Sequence, residues 1–278
     1  MLEEKIRRLF DSNKASHAYL FFGDSQVGKL TFALKLASYL EFGKFEKNTR
    51  LFSETLVIKP IIEETKESIG IEQIRAVKNF LYQSPANSKY RLAIIDDAHY
   101  ITDIAQNALL KVAEEPPAHG VIIMITPNPD VLMKTLQSRF QKIYFPRLTI
   151  DEVQNILIKD FNIPAVKAKE AAAISFGRVG RAVNLLNDEK TADRDKEARD
   201  LIAGKVGWRD EAKYLADPEN RAKIYPFLEN LIARLSTDPV KNFEALKSLS
   251  RRMEIMFDTS ANKRLQLEAG LYPISKSM

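Results

Sequence analysis

The feature that most constrains this chain is a glycine-bounded loop that follows a run of apolar residues. The run covers residues 18–22 and reads Ala-Tyr-Leu-Phe-Phe, which is typical of a short buried strand. The spacing that follows, Gly23-x4-Gly28-Lys29, is that of a phosphate-binding loop, in which backbone N–H groups and a helix N-terminus face the anion and the lysine reaches the terminal phosphates. The sequence therefore predicts a strand, a loop and a helix that begins near Lys29.

One position of this loop motif is altered. The residue after the lysine is normally Ser or Thr, whose hydroxyl binds magnesium, but here it is Leu30, and a hydroxyl follows one residue later at Thr31. Thr31 lies about 100° further round the helix and points elsewhere. The residues leave open whether the site still binds ATP or ADP with magnesium. The residues assigned to it on this loop are Gly23, Gln26, Val27, Gly28, Lys29, Leu30 and Thr31.

The composition sets wider bounds. The 278 residues, 45% of them hydrophobic, are enough for two or three domains. A net charge of +5 is compatible with a nucleic-acid partner but does not indicate one. The chain has no cysteine, which excludes disulfides and thiolate metal sites and favours a reducing compartment. Residues 1–8 predict an amphipathic helix rather than a signal peptide, and no apolar run approaches the roughly 20 residues of a membrane span, so a soluble cytoplasmic protein is expected.

Strands and helices alternate over the first half of the chain. Strands are predicted over residues 18–22, 56–62 (broken by Pro60), 90–97, 121–126 and 142–145, and helices over 2–10, 30–40, 71–82, 103–112 (capped by Asp103) and 130–140. Because the strands are nearly continuous apolar runs, they predict a parallel α/β sheet covered on both faces. Ligands bind beyond the carboxyl ends of such strands. The loop of residues 23–29, Asp96–Asp97 and Thr126–Asn128 are therefore expected to converge.

After Pro146 the pattern is helical throughout. Thr149 and Glu152 form a capping box that opens the first of three predicted helices, 149–158, 165–176 and 180–186. Residues 187–206 are charged and predict either a solvated helix or a linker, and amphipathic patterns recur from Trp208 to Tyr272. The predicted domains are an α/β core over 1–147, a small helical lid over 148–204 and a helical C-terminal domain over 205–278.

Two carboxylates end the third predicted strand. The segment Leu92-Ala-Ile-Ile-Asp96-Asp97 is similar to the second nucleotide motif, in which the first carboxylate holds magnesium and the next, usually Glu, positions the attacking water. Asp97 is one methylene shorter and would lie about 1.5 Å back from that water. The alternative is that both acids cap the following loop. Leu30 and Asp97 together favour weak or absent hydrolysis.

Two arginines are candidates for contacts with phosphate. Arg139 precedes the last core strand; it is a surface ion-pair residue on a lone subunit, or an arginine finger for a neighbour in an oligomeric ATPase. Arg181, on the second-domain helix 180–186, would reach phosphates from above or be a solvated helix charge, and the residues alone favour the second interpretation. The three histidines are too scattered for ligand spacing, so no metal site is predicted from them.

Several segments together resemble the bacterial clamp-loader AAA+ subunits of DNA polymerase III. The resemblance is dense over residues 1–190 and faint over the last 70. The segments that carry it are 17–21 (His-Ala-Tyr-Leu-Phe), 71–82 (Ile-Glu-Gln-Ile-Arg-Ala-Val-Lys-Asn-Phe-Leu-Tyr), 94–99 (Ile-Ile-Asp-Asp-Ala-His), 106–117 (Gln-Asn-Ala-Leu-Leu-Lys-Val-Ala-Glu-Glu-Pro-Pro) and 136–139 (Leu-Gln-Ser-Arg).

This resemblance implies a AAA+ core, a helical lid and a collar domain that holds a five-subunit ring. The implied partners are gamma/tau-type and delta-type subunits of the polymerase III holoenzyme (a DNA-directed DNA polymerase), and, through the complex, the sliding clamp and primer–template DNA; no membrane is implied. Gamma/tau subunits carry an intact loop and hydrolyse ATP, whereas delta-prime subunits commonly have a degenerate loop and serve the adjoining site through a Ser-Arg motif. Leu30 and Asp97 fit the delta-prime type, which predicts no intrinsic ATPase activity. Arg139 matches the family's finger arginine, and Arg181 is compared with its lid arginine.

Three departures from the family pattern bear on function. Family members usually carry a four-cysteine zinc module, which a chain without cysteine cannot form, so no zinc is expected. Phe140 replaces the cysteine that normally follows the Ser-Arg motif. Pro127 replaces a usual threonine beside Thr126 on the strand that senses nucleotide. An active gamma/tau-type ATPase subunit and another AAA+ DNA-remodelling factor remain the alternatives.

Overall fold

The computed structural model describes residues 2–48, 50–63, 66–187, 189–258 and 261–276. The chain divides into two compact units, Met1–Arg147 and Leu148–Met278. The further division of the second unit into a lid and a C-terminal domain at residue 204 stays a prediction. No helix within the described ranges is both long and apolar enough to span a membrane.

The first unit alternates strands with helices, as the sequence predicts. Its strands are β1 (Ala18–Phe22), β2 (Thr55–Ile58), β3 (Ile61–Glu63), β4 (Lys66–Ser68), β5 (Arg91–Ile95), β6 (Gly120–Thr126) and β7 (Gln141–Tyr144). Its helices are α1 (Leu2–Asp11), α2 (Lys29–Phe42), α3 (Ile71–Leu81), α4 (Asp103–Glu114) and α5 (Lys134–Gln137).

Five of these strands form one parallel sheet in the order β2-β5-β6-β1-β7. Alternate residues of each strand point to opposite faces, so the sheet supplies two separate cores. On one face Leu20 packs in a cluster with Ile74 of α3 and Leu109 of α4. On the other face Phe21 packs in a cluster with Leu36 of α2 and with α1. The predicted parallel sheet covered on both faces is confirmed.

Three predicted boundaries in this unit are wrong in detail. Helix α4 is capped by Thr102, whose hydroxyl accepts from the Ala105 N–H at 3.3 Å, so Asp103 lies in the first turn instead, where its charge favours the helix dipole. Pro60 has no N–H to continue a ladder, and the predicted strand 56–62 becomes β2 plus a separate antiparallel hairpin of β3 and β4. The predicted helix 130–140 is a 3₁₀ turn, Pro129–Val131, followed by the short α5.

The second unit is entirely helical over its described residues. Its α-helices are α6 (Ile150–Phe161), α7 (Ala165–Ile174), α8 (Val179–Asn187), α9 (Glu189–Ile202), α10 (Trp208–Ala216), α11 (Ile224–Leu235), α12 (Phe243–Asp258) and α13 (Lys263–Leu271). The predicted Thr149 capping box is confirmed, since Thr149 N donates to the Glu152 carboxylate at 2.8 Å and its hydroxyl accepts from Glu152 N at 3.3 Å.

The charged segment after residue 187 is a helix rather than a linker. Its Ala198 and Leu201 are buried in the core of this unit. Asp195, which is also buried, accepts two hydrogen bonds of 2.6 Å from Arg234 of α11. Such bidentate pairs fix geometry as well as adding energy, so α9 is bound to α11 through both apolar and charged contacts.

Glu211 of α10 is a buried acid with an unusual environment. Its side chain is 8% exposed, and one of its oxygens, like one of Glu197, is buried without a hydrogen-bond partner among the described residues. Burial, and then the neighbouring Glu197 charge, raise the pKa of Glu211 to about 7. The second unit therefore favours the protonated form of this residue.

Glu211 should make the stability of the chain depend on pH. Because an unfolded glutamate titrates near 4.3 and the folded pKa is about 7, the folded state binds the extra proton between these values, and the free energy of unfolding falls as pH rises through this window. We expect Glu211→Gln to raise the free energy of unfolding by about 3 kcal/mol at pH 8 but only by about 1 kcal/mol at pH 5. Denaturant titration at both pH values measures this; the exposed Glu219→Gln is the control, and an equal gain at both pH values would contradict the assignment.

Candidate functional site

The loop between β1 and α2 has the backbone of a phosphate cradle. Gly23, Gln26 and Gly28 all adopt positive φ, at 129°, 68° and 97°. A Cβ on Gly23 would lie 2.3 Å from the Phe145 carbonyl oxygen, so only glycine fits there. Gln26 holds a left-handed conformation that costs a non-glycine residue about 1–2 kcal/mol. The two glycines adopt this loop conformation without strain, whereas Gln26 adopts it at a cost in backbone energy.

This shape leaves a row of donors at the start of α2. Among the residues that the structure describes, no backbone carbonyl accepts a hydrogen bond from the N–H groups of residues 25–31. Val27, which is buried, anchors the loop in the core. N–H groups that the backbone does not use and the positive end of the helix dipole favour an anion at this position. The geometry fits a phosphate group.

Lys29 lies at the centre of this cradle and is buried. Its Nζ donates to the carbonyl oxygens of Gly23 and Asp24, both at 2.6 Å. Burial lowers the pKa of Lys29, while the nearby charges of Asp97, Asp24 and Asp96 oppose that shift. The loop and the carboxylates after β5 therefore converge, as the strand order predicts.

The two carboxylates differ in environment. Asp96 is 9% exposed, accepts a hydrogen bond of 3.1 Å from the Asp97 N–H, and has its pKa raised by burial and by the Asp97 charge. The Asp97 side chain is 52% exposed and lies 4.0 Å from Nδ1 of His99, on a residue with φ of 49°. Asp96 is therefore the buried carboxylate of the two, and Asp97 is the solvent-exposed one.

Thr126 ends β6 directly beside the loop. It is opposite Phe22 in the sheet, it is fully buried, and its hydroxyl donates to the Asn128 carbonyl oxygen at 2.9 Å. Thr126 therefore lies next to the loop, as the predicted convergence of the three strand ends requires. Its hydroxyl proton is already engaged in the hydrogen bond to Asn128.

The side chains present do not supply a complete magnesium site. Leu30 packs its aliphatic side chain against the core cluster that contains Ala33 and Leu36, where the motif requires an oxygen. Asp96 is the remaining carboxylate in the expected position, and no group of three or more histidines and acids that could hold a metal occurs among the described residues. The donor set therefore fits phosphate better than it fits a metal ion.

Arg139 follows α5 and precedes β7, the edge strand of the sheet. Its side chain is 34% exposed and forms an ion pair with Glu114, the last residue of α4. Its Nη1 also donates to the Thr135 carbonyl oxygen at 2.6 Å. The arginine is thus on the surface and held by two contacts, a geometry compatible with both sequence-based interpretations.

Arg181 belongs to the second unit and is buried there. Its side chain is 7% exposed and pairs with Glu229 at 2.7 Å, and its Nη2 donates to Asn230 Oδ1 at 2.6 Å. Burial lowers the pKa of this guanidinium while Glu229 opposes the shift. Arg181 is therefore not a solvated helix charge; its contact with phosphate stays a prediction, and any such contact would compete with these partners.

Two further charged residues at the site were missed in the sequence. Asp24 of the loop pairs with Arg147, 123 residues away in the chain, and Glu114 pairs with Arg139. Neither pair has a local spacing signal. Glu114 does lie in one of the segments that carry the family resemblance, residues 106–117, but nothing in that segment indicates a partner for it.

A parallel sheet with a phosphate cradle after β1, a carboxylate pair after β5 and a buried threonine at the end of β6 is the arrangement of a P-loop core of the AAA+ class. The family profile described as "DNA polymerase III, delta subunit" matches residues 1–149, more than half of the chain. The chain belongs to this family.

The chain is also similar to curated subunits of DNA polymerase III, and a solved structure has the same fold. The chain is 32% identical to DNA polymerase III subunit gamma/tau of Mycobacterium bovis over 139 residues, 46% of this chain and 24% of the relative. It is 28% identical to subunit tau of Bacillus subtilis over 188 residues, 63% of this chain and 33% of the relative. It therefore spans about a quarter to a third of the length of these relatives. A DNA polymerase III gamma subunit-related protein from Thermotoga maritima has the same fold, with a TM-score of 0.51 at 19% identity, over 98% of this chain and 99% of that one.

Proposed function

We propose that this chain is a delta-prime-type clamp-loader subunit, which helps to load the sliding clamp onto primed DNA and presents Arg139 to ATP bound by a neighbouring subunit. The observation that carries the proposal is that a family member combines a phosphate loop lacking the metal-binding hydroxyl with a surface arginine in the Ser-Arg position. A subunit that cannot hydrolyse ATP at its own loop but keeps the arginine is expected to serve the ATP site of another subunit.

Its own loop acts as a scaffold in this proposal. Gly23 lets the loop approach the residue after β7 closely, and Lys29 donates to two carbonyl oxygens of the loop itself, so the loop has internal contacts that need no ligand. The N–H groups of the loop also allow ATP or ADP to bind there. Without the hydroxyl at position 30 and with Asp97 in place of Glu, such a nucleotide would be turned over slowly or not at all.

The proposed partners are gamma/tau-type and delta-type subunits in a hetero-pentameric ring in the cytoplasm. The second unit would supply the lid and the collar contacts of that ring. The clamp and primer–template DNA would be reached through the assembled complex rather than by this chain alone.

A gamma/tau-type ATPase subunit is the second candidate. It is favoured by the curated relatives, which carry gamma or tau names, and by the preserved cradle. Leu30 and Asp97 oppose it, since each removes an oxygen from the position that hydrolysis requires. A AAA+ factor outside replication is opposed by the Glu114-Glu-Pro-Pro117 and Ser138-Arg139 segments and by the family match.

The proposal is tested by clamp loading with purified components. A loader assembled from gamma/tau-type and delta-type subunits of the same source should load the clamp onto primed DNA many times faster when this chain is present, and the chain should co-elute with the complex in size-exclusion chromatography. Equal loading rates with and without the chain, or failure to co-elute, would overturn the clamp-loader assignment.

Replacing Leu30 with threonine tests why the chain's own site is degenerate. A hydroxyl at this position restores one magnesium ligand, so we expect Leu30→Thr to strengthen ADP binding about tenfold with magnesium and to leave it unchanged with EDTA, a gain worth about 1.4 kcal/mol. Isothermal titration calorimetry on the isolated chain measures both conditions. Leu30→Ala, which removes the leucine without adding oxygen, is the control; an equal gain from both variants would show that bulk, not the missing ligand, limits binding.

A further inference from the structure

We propose that Glu114 is a positioning residue for Arg139, which holds the guanidinium ready for the neighbouring subunit's phosphate. The inference rests on the proposed function, since it assigns a partner to the arginine that acts there. The two residues are 25 positions apart in the sequence and meet because α4 and α5 pack side by side.

The helix that carries Glu114 is fixed with respect to the segment that carries Arg139. Gln106 of α4 accepts a hydrogen bond of 2.8 Å from the Met133 N–H, just before α5. Gln137 of α5 is buried and donates to the Leu132 carbonyl oxygen at 2.8 Å. The Gln106 bond joins α4 to the start of α5, and the Gln137 bond fixes α5 to the residues just before it. The Glu114 carboxylate therefore meets Arg139 from a supported position rather than from a mobile loop.

The end of α4 keeps the carboxylate at this place. Glu114 is the last helical residue, Glu115 leaves the helix with φ of −127° and ψ of 65°, and Pro116-Pro117 follow. The helical region is disfavoured for a residue before proline, and proline has no N–H to extend the helix. The two prolines therefore end α4 at Glu114 and place its carboxylate on the last turn of the helix.

The contacts leave part of the guanidinium available. Nη2 binds Glu114, and Nη1 binds the Thr135 carbonyl oxygen at 2.6 Å and approaches Ser138 Oγ at 3.5 Å. Arginine has five N–H donors, and within the described residues Nε and the second N–H of Nη2 have no acceptor. Two free donors are enough for a forked contact with phosphate oxygens. An arginine already held in one conformation also loses less side-chain entropy when the phosphate arrives.

The ion pair itself adds little to folding. Glu114 is 46% exposed and Arg139 34% exposed, and exposed pairs of this kind contribute about 0–1 kcal/mol. Removal of the Glu114 carboxylate should therefore change the orientation of Arg139 without unfolding the unit. The carboxylate also offsets part of the arginine charge, so the opposite effect, a Glu114 that restrains the arginine, is a distinct and measurable outcome.

The test is ATP turnover by the loader assembled with variants of this chain. Glu114→Ala should lower kcat by about tenfold to a hundredfold, the cost of a misplaced catalytic group, with little change in KM. Glu114→Gln should recover part of the rate, since its amide oxygen still accepts a hydrogen bond. Glu115→Ala is the matched control, because this neighbour is exposed and should leave the rate unchanged.

The double variant separates positioning from general damage. If Glu114 acts through Arg139, adding Glu114→Ala to Arg139→Ala should lower the rate no further. An unchanged or increased rate for Glu114→Ala alone, or an equal further loss in the double variant, would overturn the positioning role. If Arg139→Ala has no effect, the proposed function fails instead; if it has its full effect while Glu114→Ala has none, only the inference about Glu114 fails.

Discussion

Replacing Arg139 with alanine should remove most of the ATP turnover that this chain stimulates in an assembled clamp loader. An arginine finger stabilises the charge that develops on the transferred phosphoryl group and is worth about 10³–10⁵ in kcat. We therefore expect turnover at the served site to fall at least about a thousandfold, with nucleotide binding by the neighbour nearly unchanged. The measurement is single-turnover hydrolysis by the reconstituted complex, followed by clamp loading on primed DNA.

Controls for this experiment are present in the same unit. Arg75 is an exposed arginine paired with Glu72 of its own helix, and Arg75→Ala should leave turnover unchanged. Arg139→Lys keeps the charge but loses the planar fork, so it should restore only a small part of the rate. Assembly of the complex should be the same for all three variants. Turnover by Arg139→Ala equal to that of the wild-type complex would refute the finger role.

Replacing Gly23 with alanine should have the largest effect on stability. The new Cβ would lie 2.3 Å from the Phe145 carbonyl oxygen, at a φ of 129°. This oxygen is backbone, held next to β1 by the hydrogen bond of 2.8 Å from Phe145 N to the Phe22 carbonyl, so it cannot rotate away. Backbone strain and overpacking each cost about 1–3 kcal/mol, and we expect the free energy of unfolding to fall by about 3–5 kcal/mol.

Gly43 provides the matched comparison for this substitution. It ends α2 with φ of 75°, and a Cβ at this position would meet no described atom within 4 Å beyond its own chain neighbours. Gly43→Ala therefore meets only the left-handed backbone penalty, about 1 kcal/mol. Denaturant-induced unfolding of both variants measures the difference. If the two substitutions cost the same, the close approach of Gly23 to the end of β7 does not constrain the loop.

The parts of the fold that follow from local sequence were predictable. The strand Ala18–Phe22, the loop and the helix from Lys29 are contiguous in the chain. Their apolar pattern and glycine spacing are therefore enough to predict where each of them begins. The parallel sheet followed from uninterrupted apolar strands separated by helices, and the convergence of Asp96, Lys29 and Thr126 followed from the sheet. Each of these steps depends on neighbouring residues and on a general rule of α/β topology.

The contacts that depend on distant residues were not predictable in this way. Glu114 with Arg139 and Asp24 with Arg147 are pairs that no periodicity connects. Arg181 was predicted to be a solvated helix charge, yet two partners on α11 allow its burial. The predicted strand across Pro60 failed because a single missing N–H outweighed the apolar run on both sides.

In the proposed function, this chain serves catalysis at a subunit interface and not in its own loop. The most direct measurement is the rate of ATP hydrolysis by the isolated chain, compared with the rate of the gamma/tau-type subunit alone and of the assembled loader with and without the chain. We expect background hydrolysis by the isolated chain and faster hydrolysis by the loader when the chain is present. Hydrolysis by the isolated chain at the rate of the gamma/tau-type subunit, with no stimulation on assembly, would contradict the proposed function.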